Sequence, residues 1–288
     1  MTTLSLLLIL GSACLHVVQH VALKKARDRT AFVWWLWLWA CVLFSPVLVL
    51  CRERVPASAW VILAVSAAFE ALYYLAIARA YRSGDLSLVY PLARGTAPLL
   101  VFVWTALLLR ERPSLGGLAG IALIAVGLAV INLPRPGAWR QCWRSLGQAA
   151  PRWALGAGLC ISLYTTLDKV AVGLTDALLY TYLAMTMTLL WLTPATLREV
   201  GRAGLAREWR ASRGTSALAG LSAMAAYAIV LTVMGRGAPA SYVGAVREVS
   251  VVLGAAVGVL FLGEKGTLMR VLGSGLITSG VAAIATLG

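Results

Sequence analysis

The sequence predicts an all-α membrane protein, with ten transmembrane helices arranged as two inverted five-helix repeats. Three observations predict it. Hydrophobic residues make up 60% of the 288 and charged residues 12%, with a mean hydropathy of +0.84. Soluble domains run roughly half apolar and a quarter charged. The apolar residues fall into ten runs of about 20, the length that crosses a hydrocarbon core about 30 Å thick. The second half also repeats the first at an offset of 153 residues.

The spans follow in order. The run 4–23 lacks a basic leader and ends in Lys24-Lys25-Ala26-Arg27, so it reads as a first span rather than a signal peptide. The second, 31–50, opens with Phe32-Val33-Trp34-Trp35-Leu36-Trp37-Leu38-Trp39, a density expected of an aromatic belt at a membrane interface. Ligand stacking is the other reading. The third, 58–78, ends before Arg82-Ser83-Gly84-Asp85, and the fourth, 86–109, ends at Arg110-Glu111-Arg112-Pro113. The fifth, 115–133, carries Gly116, Gly120 and Gly127, which suit close helix packing within the fold or at a homodimer seam. A connection at 134–152, with Pro134, Pro136 and Pro151, separates repeat 1–133 from repeat 153–288. The remaining spans are 153–173, 176–197, 214–235, 239–262 and 267–287, with a second long connection at 198–213. Tilted barrel strands would alternate over ten residues, and these runs do not.

The offset of 153 pairs Tyr74 with Tyr227, Gly84 with Gly237, Arg94 with Arg247 and Glu111 with Glu264. It also pairs Gly120 with Gly273 and Gly127 with Gly280. Apolar matches come cheaply in such a sequence, whereas matched Arg, Glu and Tyr in one register do not. Five spans per half is odd, so the second copy enters the membrane upside down. Odd-numbered connections hold 17 Lys and Arg against 5 in even-numbered ones. The positive-inside rule then expects 198–213 in the cytoplasm and both termini outside.

The net charge of +14 does not point to nucleic acid. Of 25 Lys and Arg, 22 sit in connections or at span ends, where they meet lipid headgroups. Five cysteines, Cys14, Cys41, Cys51, Cys142 and Cys160, have no CxxC spacing and imply neither a disulfide framework nor a metal site. No cofactor is implied. Metalloprotease, Walker and nucleophile-elbow patterns are missing, so no enzyme is expected.

Ionisable groups inside spans are costly and face a cavity or a partner. Arg94 and Arg247, as repeat mates, should both point inward, either as a clamp for carboxylate or phosphate or as ion pairs with Glu70 and Glu248. Glu70 and Glu248 can bind a cation, relay a proton or serve as counter-ions. Asp168-Lys169 near the end of the sixth span fits snorkelling or a local pair. His16 and His20 share a helix face and can titrate with proton coupling.

The stretch from Ala78 to Pro98, with Tyr90-Pro91-Leu92-Ala93-Arg94-Gly95 inside it, then Leu109-Arg110-Glu111-Arg112-Pro113 and its echo Leu262-Gly263-Glu264-Lys265, resembles the drug/metabolite transporter superfamily, in particular its ten-helix EamA-type members. The Tyr90–Gly95 run is similar to a subgroup associated with phosphonate-utilisation loci. The resemblance implies a secondary transporter with a central cavity lined by spans 1, 3, 4, 6, 8 and 9. The cavity residues it implies are His16, Glu70, Tyr74, Arg94, Tyr164, Tyr227, Arg247 and Glu248. It further implies cytoplasmic termini in many members, opposite to the charge count here. The expectation is an inner (plasma) membrane exporter or exchanger of a small polar metabolite, anionic or zwitterionic. The alternative is a flippase for a lipid-linked phosphate or sugar.

Overall fold

The computed structural model describes residues 1–51, 53–83, 86–131, 133, 148–261 and 268–288, with the side chains of residues 24, 78, 81–83, 86–92 and 261 left undescribed. The Gly84/Gly237 match, the 134–152 connection for all but its last residues, Cys142 and the Glu264 turn therefore fall wholly or partly outside the described residues. Within them the chain is helical throughout: α1 Thr3–Lys25, α2 Arg29–Phe44, α3 Val47–Leu50, α4 Ala57–Ser83, α5 Leu86–Leu108 and α6 Leu115–Ile131 in the first half. The second half has α7 Ala149–Ala171, α8 Ala177–Glu199, α9 Gly201–Gly235, α10 Ala240–Arg247, α11 Val249–Phe261 and α12 Leu268–Leu287. Local signals set the starts. Asp28 caps α2 by accepting from the Ala31 N–H at 3.0 Å, and Asp176 caps α8 through the N–H groups of Leu178 and Leu179, both at 2.9 Å.

Ten spans result, with three departures from the expected boundaries. The second span breaks at Ser45-Pro46 into α2 and α3, because Pro46 has no N–H to continue the ladder. The ninth breaks at Glu248, whose N–H reaches back only three residues to the Ala245 carbonyl (3.0 Å), while the Val251 N–H does the same to Glu248 (2.9 Å). The expected 198–213 connection is mostly helical. Gly201, at φ +69°, turns the chain out of α8, and α9 then runs on with a single non-helical residue at Ser212. Good helix formers fill 202–211, and Leu205 and Glu208 bury against the first half.

The two halves pack as inverted copies. α1 lies along α9 as α4 lies along α7, and α2 meets α9 as α4 meets α8, each pair being the other with the halves exchanged. The seam between α6 and α12 fixes the relative direction. A Cβ on Gly120 would meet the Gly280 carbonyl and Ile284, and one on Gly127 would meet the Gly273 carbonyl and Ile277. Rising numbers on one helix meet falling numbers on the other, so these repeat mates run antiparallel. The glycines do the packing work their spacing suggested, inside the fold. Leu7, Leu50, Leu107, Leu115 and Leu260 are exposed, as an outer surface in lipid requires.

Candidate functional site

Side chains from eight helices surround a central cavity of about 350 Å³, large enough for a small molecule. Spans 2 and 7 join the six helices expected around it. α1 contributes His16, Gln19 and His20; α2 contributes Trp34 and Trp37; α4 contributes Glu70, Tyr73 and Tyr74. Arg94 from α5, Tyr164 from α7, Tyr227 from α9 and Arg247 from α10 complete the inner end. Seven of the eight residues expected at a site thus face one space. The eighth, Glu248, lies behind Arg94, with its Oε2 3.2 Å from Arg94 Nε.

That pairing corrects the expected one. The sequence offers Glu70 as the ion-pair partner of Arg94, but Glu70 accepts from the Thr188 hydroxyl of α8 at 3.1 Å. The helix break explains the exchange: at Glu248 the backbone tightens, so Arg247 turns to the cavity while Glu248 turns to α5. Glu70, Arg94 and Arg247 are 6%, 7% and 6% exposed, so all three charges sit in a medium of low polarity. Arg247 Nε, Gln19 Oε1 and His20 Nε2 have no hydrogen-bond partner among the described residues, and all three side chains line the cavity. Buried polar atoms left so cost about 1–3 kcal/mol each unless water or a ligand meets them. The rings of His16 and His20 meet edge to face, with centroids 4.6 Å apart.

The tryptophans of α2 make contacts inside the protein. Trp34 and Trp37 line the cavity, along with Thr30 and Val33 on the same helical face. Trp35 and Trp39 pack on Trp209, Trp35 also donating from its indole to the Leu205 carbonyl at 2.9 Å. The spacing 30, 33, 34, 37 carried this signal, masked by tryptophans on the other faces.

Among the described residues the cavity opens at one face. Its lining reaches the exposed Arg29 and Glu199, where α1 meets α2 and α8 meets α9. No lining residue among those described belongs to the opposite connections 45–56, 109–114, 172–176 or 236–239. On that far side Asp168, 1% exposed, accepts from the hydroxyls of Ser66 (2.5 Å), Tyr180 (2.6 Å) and Tyr227. Lys169 does not snorkel or pair with it. Its Nζ donates to the carbonyls of Met234 (2.7 Å) and Ala238 (2.9 Å), tying α7 to the end of α9. Glu111, from the turn after the fourth span, accepts from the N–H of Ala240 at 2.9 Å and from the Ser241 hydroxyl at 2.9 Å, so it caps α10 from outside. Sequence reasoning missed Gln19 and Tyr73, and it named Asp168 without its partners, of which Ser66 lies 102 residues away in sequence.

Comparison with known proteins agrees with this architecture. One solved crystal structure superposes on 100% of this chain and 98% of its own with a TM-score of 0.75, at 17% sequence identity, which speaks for the fold alone. No curated protein sequence matches. The EamA-like transporter family matches twice, over residues 3–133 and 150–286, and carries no assignment to a phosphonate-associated subgroup. Matched across both halves, the chain belongs to the EamA-like transporter family, multi-pass membrane transporters of small molecules.

Proposed function

We propose that the chain is a secondary transporter, an exporter or exchanger in the inner (plasma) membrane, for a small polar metabolite that is anionic or zwitterionic. The observation that carries the reading is the repeat-related pair Arg94 and Arg247 at the closed end of a cavity open on one side. A guanidinium presents a planar fork of donors that matches two oxygens of a carboxylate or phosphate. Glu248 lies beside Arg94 and also acts on Arg247, whose Nε–H has no partner among the described residues, so Arg247 has a donor to offer an anionic group. Glu70 on the facing helix suits the cationic end of a zwitterion.

The same arrangement supports alternating access. On this reading repeats 1–133 and 153–288, joined by 134–152, differ in conformation, one leaving the mouth at Arg29 and Glu199 open. Exchanging those conformations would close the mouth and open the far side. With odd-numbered connections in the cytoplasm, the mouth faces the cytoplasm. Counterflow of labelled carboxylates, phosphonates, phosphates and amino acids into liposomes holding the purified chain tests this. The expected result is saturable counterflow of one anionic or zwitterionic class, lost in Arg247→Ala. Movement of only neutral or cationic compounds would overturn it.

A further inference from the structure

Of the Asp168 cluster only Tyr227 lines the cavity, and Asp168 itself has no part in the reading above. Asp168 stands in the last turn of α7, and its donors come from three other helices: Ser66 of α4, Tyr180 of α8 and Tyr227 of α9. An ionised carboxylate has acceptor sites for all three hydroxyls. A carboxylic acid must donate its own proton, so one hydroxyl has to turn round or leave. The shell therefore differs between the two protonation states of a single group. Its position makes that difference consequential: Asp168 is three residues from the end of α7 and Tyr180 three from the start of α8, about 4.5 Å in from the helix ends at the face opposite the mouth. Opening that face has to part α4, in one half, from α7, α8 and α9 in the other.

The charged and titratable groups around Asp168 are drawn from the helices packed on α7. Glu70 of α4 acts on it with like charge and Arg247 of α10 with opposite charge. Tyr180 and Tyr227 are its direct donors. Arg94 of α5 acts instead on Tyr164 and Arg247, and Lys169, adjacent in sequence, is committed to backbone carbonyls.

We propose that Asp168 is a proton-binding site coupled to opening of the closed face: ionised, it accepts from hydroxyls of three other helices, and protonated, it reverses or loses one of those contacts and the tie loosens. The proton arrives from the aqueous phase on that face and binds a carboxylate oxygen, and no other bond is made or broken besides the hydrogen bonds it displaces. The proposal rests on alternating access but not on which substrate is carried, so its test needs none.

The test places one cysteine at Ala226, a cavity-lining residue of α9, in a chain otherwise free of cysteine. Oriented vesicles are then treated with an impermeant thiol reagent from each face in turn. Labelling from the closed face is expressed relative to labelling from the mouth at the same pH, which cancels the reactivity of the thiol itself. Acidification should raise that ratio in the parent. Asp168→Asn should raise it about tenfold at neutral pH and remove its pH dependence, an effect of one to two hydrogen bonds. Should that variant not fold, Tyr180→Phe and Tyr227→Phe, which keep the acid and delete one donor each, should raise the ratio by smaller factors. Infrared difference spectra on acidification should show a protonated carboxyl band that Asp168→Asn lacks. An unchanged ratio in all three variants, or the full band in Asp168→Asn, overturns the proposal and leaves alternating access standing. Absence of closed-face labelling under every condition removes both.

Discussion

Arg94 Nε and Glu248 Oε2 meet at 3.2 Å across the boundary between the two repeats, joining α5 of the first half to the break in the ninth span. Both groups are buried, so removing Arg94 takes a close positive partner from Glu248. Arg94→Ala should cost about 3–5 kcal/mol, the usual penalty for an orphaned buried charge. Glu248→Gln in the same chain should return much of it. Glu70→Gln should not, because Glu70 has its own donor in Thr188. Thermal unfolding of the purified single and double variants in detergent separates these outcomes.

Arg247 should behave differently. Its Nε carries no partner, so Arg247→Lys should leave the melting temperature close to that of the parent. Lys keeps the charge but loses the fork, and substrate affinity should fall about tenfold or more. Binding measured by counterflow, beside thermal unfolding of the same preparation, checks both halves of the expectation.

The α6–α12 seam should reject side chains. A Cβ on Gly120 would lie 2.7 Å from the Gly280 carbonyl, and one on Gly127 would lie 2.8 Å from the Gly273 carbonyl. Neither neighbour is a flexible tip, so Gly120→Val and Gly127→Val should each cost about 1–3 kcal/mol from overpacking. Gly11→Ala, with nothing within 4 Å, should be neutral or slightly stabilising. Comparing the three by thermal unfolding is sufficient.

Glu111 should matter to stability rather than to the substrate. It supplies the acceptors for the first N–H groups of α10, whose own preceding residue, Pro239, gives no side-chain cap. Glu111→Ala should cost about 1–2 kcal/mol. Glu111→Gln keeps an acceptor but loses the charge that favours a helix start, and should cost less. Transport per folded molecule should change little in either.

The repeat was legible because chemistry rarer than hydrophobicity marked it: Arg, Glu and Tyr in one register fixed which helices correspond, and an odd span count then fixed their relative direction. Residues of the cavity with a repeat mate or a buried charge were legible for the same reason. What stayed hidden was pairing across helices. Arg94 had two carboxylates in reach on paper, and only the backbone tightening at Glu248 decides between them. Asp168 looked like a span-end charge because its hydroxyl partners, Ser66, Tyr180 and Tyr227, are ordinary residues of other spans. The cavity role of Trp34 and Trp37 stayed hidden because interface aromatics and cavity aromatics look alike until one face of the helix is known to be buried.

The glycine seam also bears on biosynthesis. Gly120 and Gly127 emerge from the ribosome about 150 residues before Gly273 and Gly280, the helix surface they press against. At the pace of translation, roughly 5–20 residues per second, α6 waits in the bilayer for many seconds with its smooth face against lipid. Because the two faces are repeat mates meeting head to tail, the α6 of a second nascent chain is the wrong way up to take its place. The contacts that α6 makes in the finished fold therefore form only once α12, inserted the opposite way, arrives.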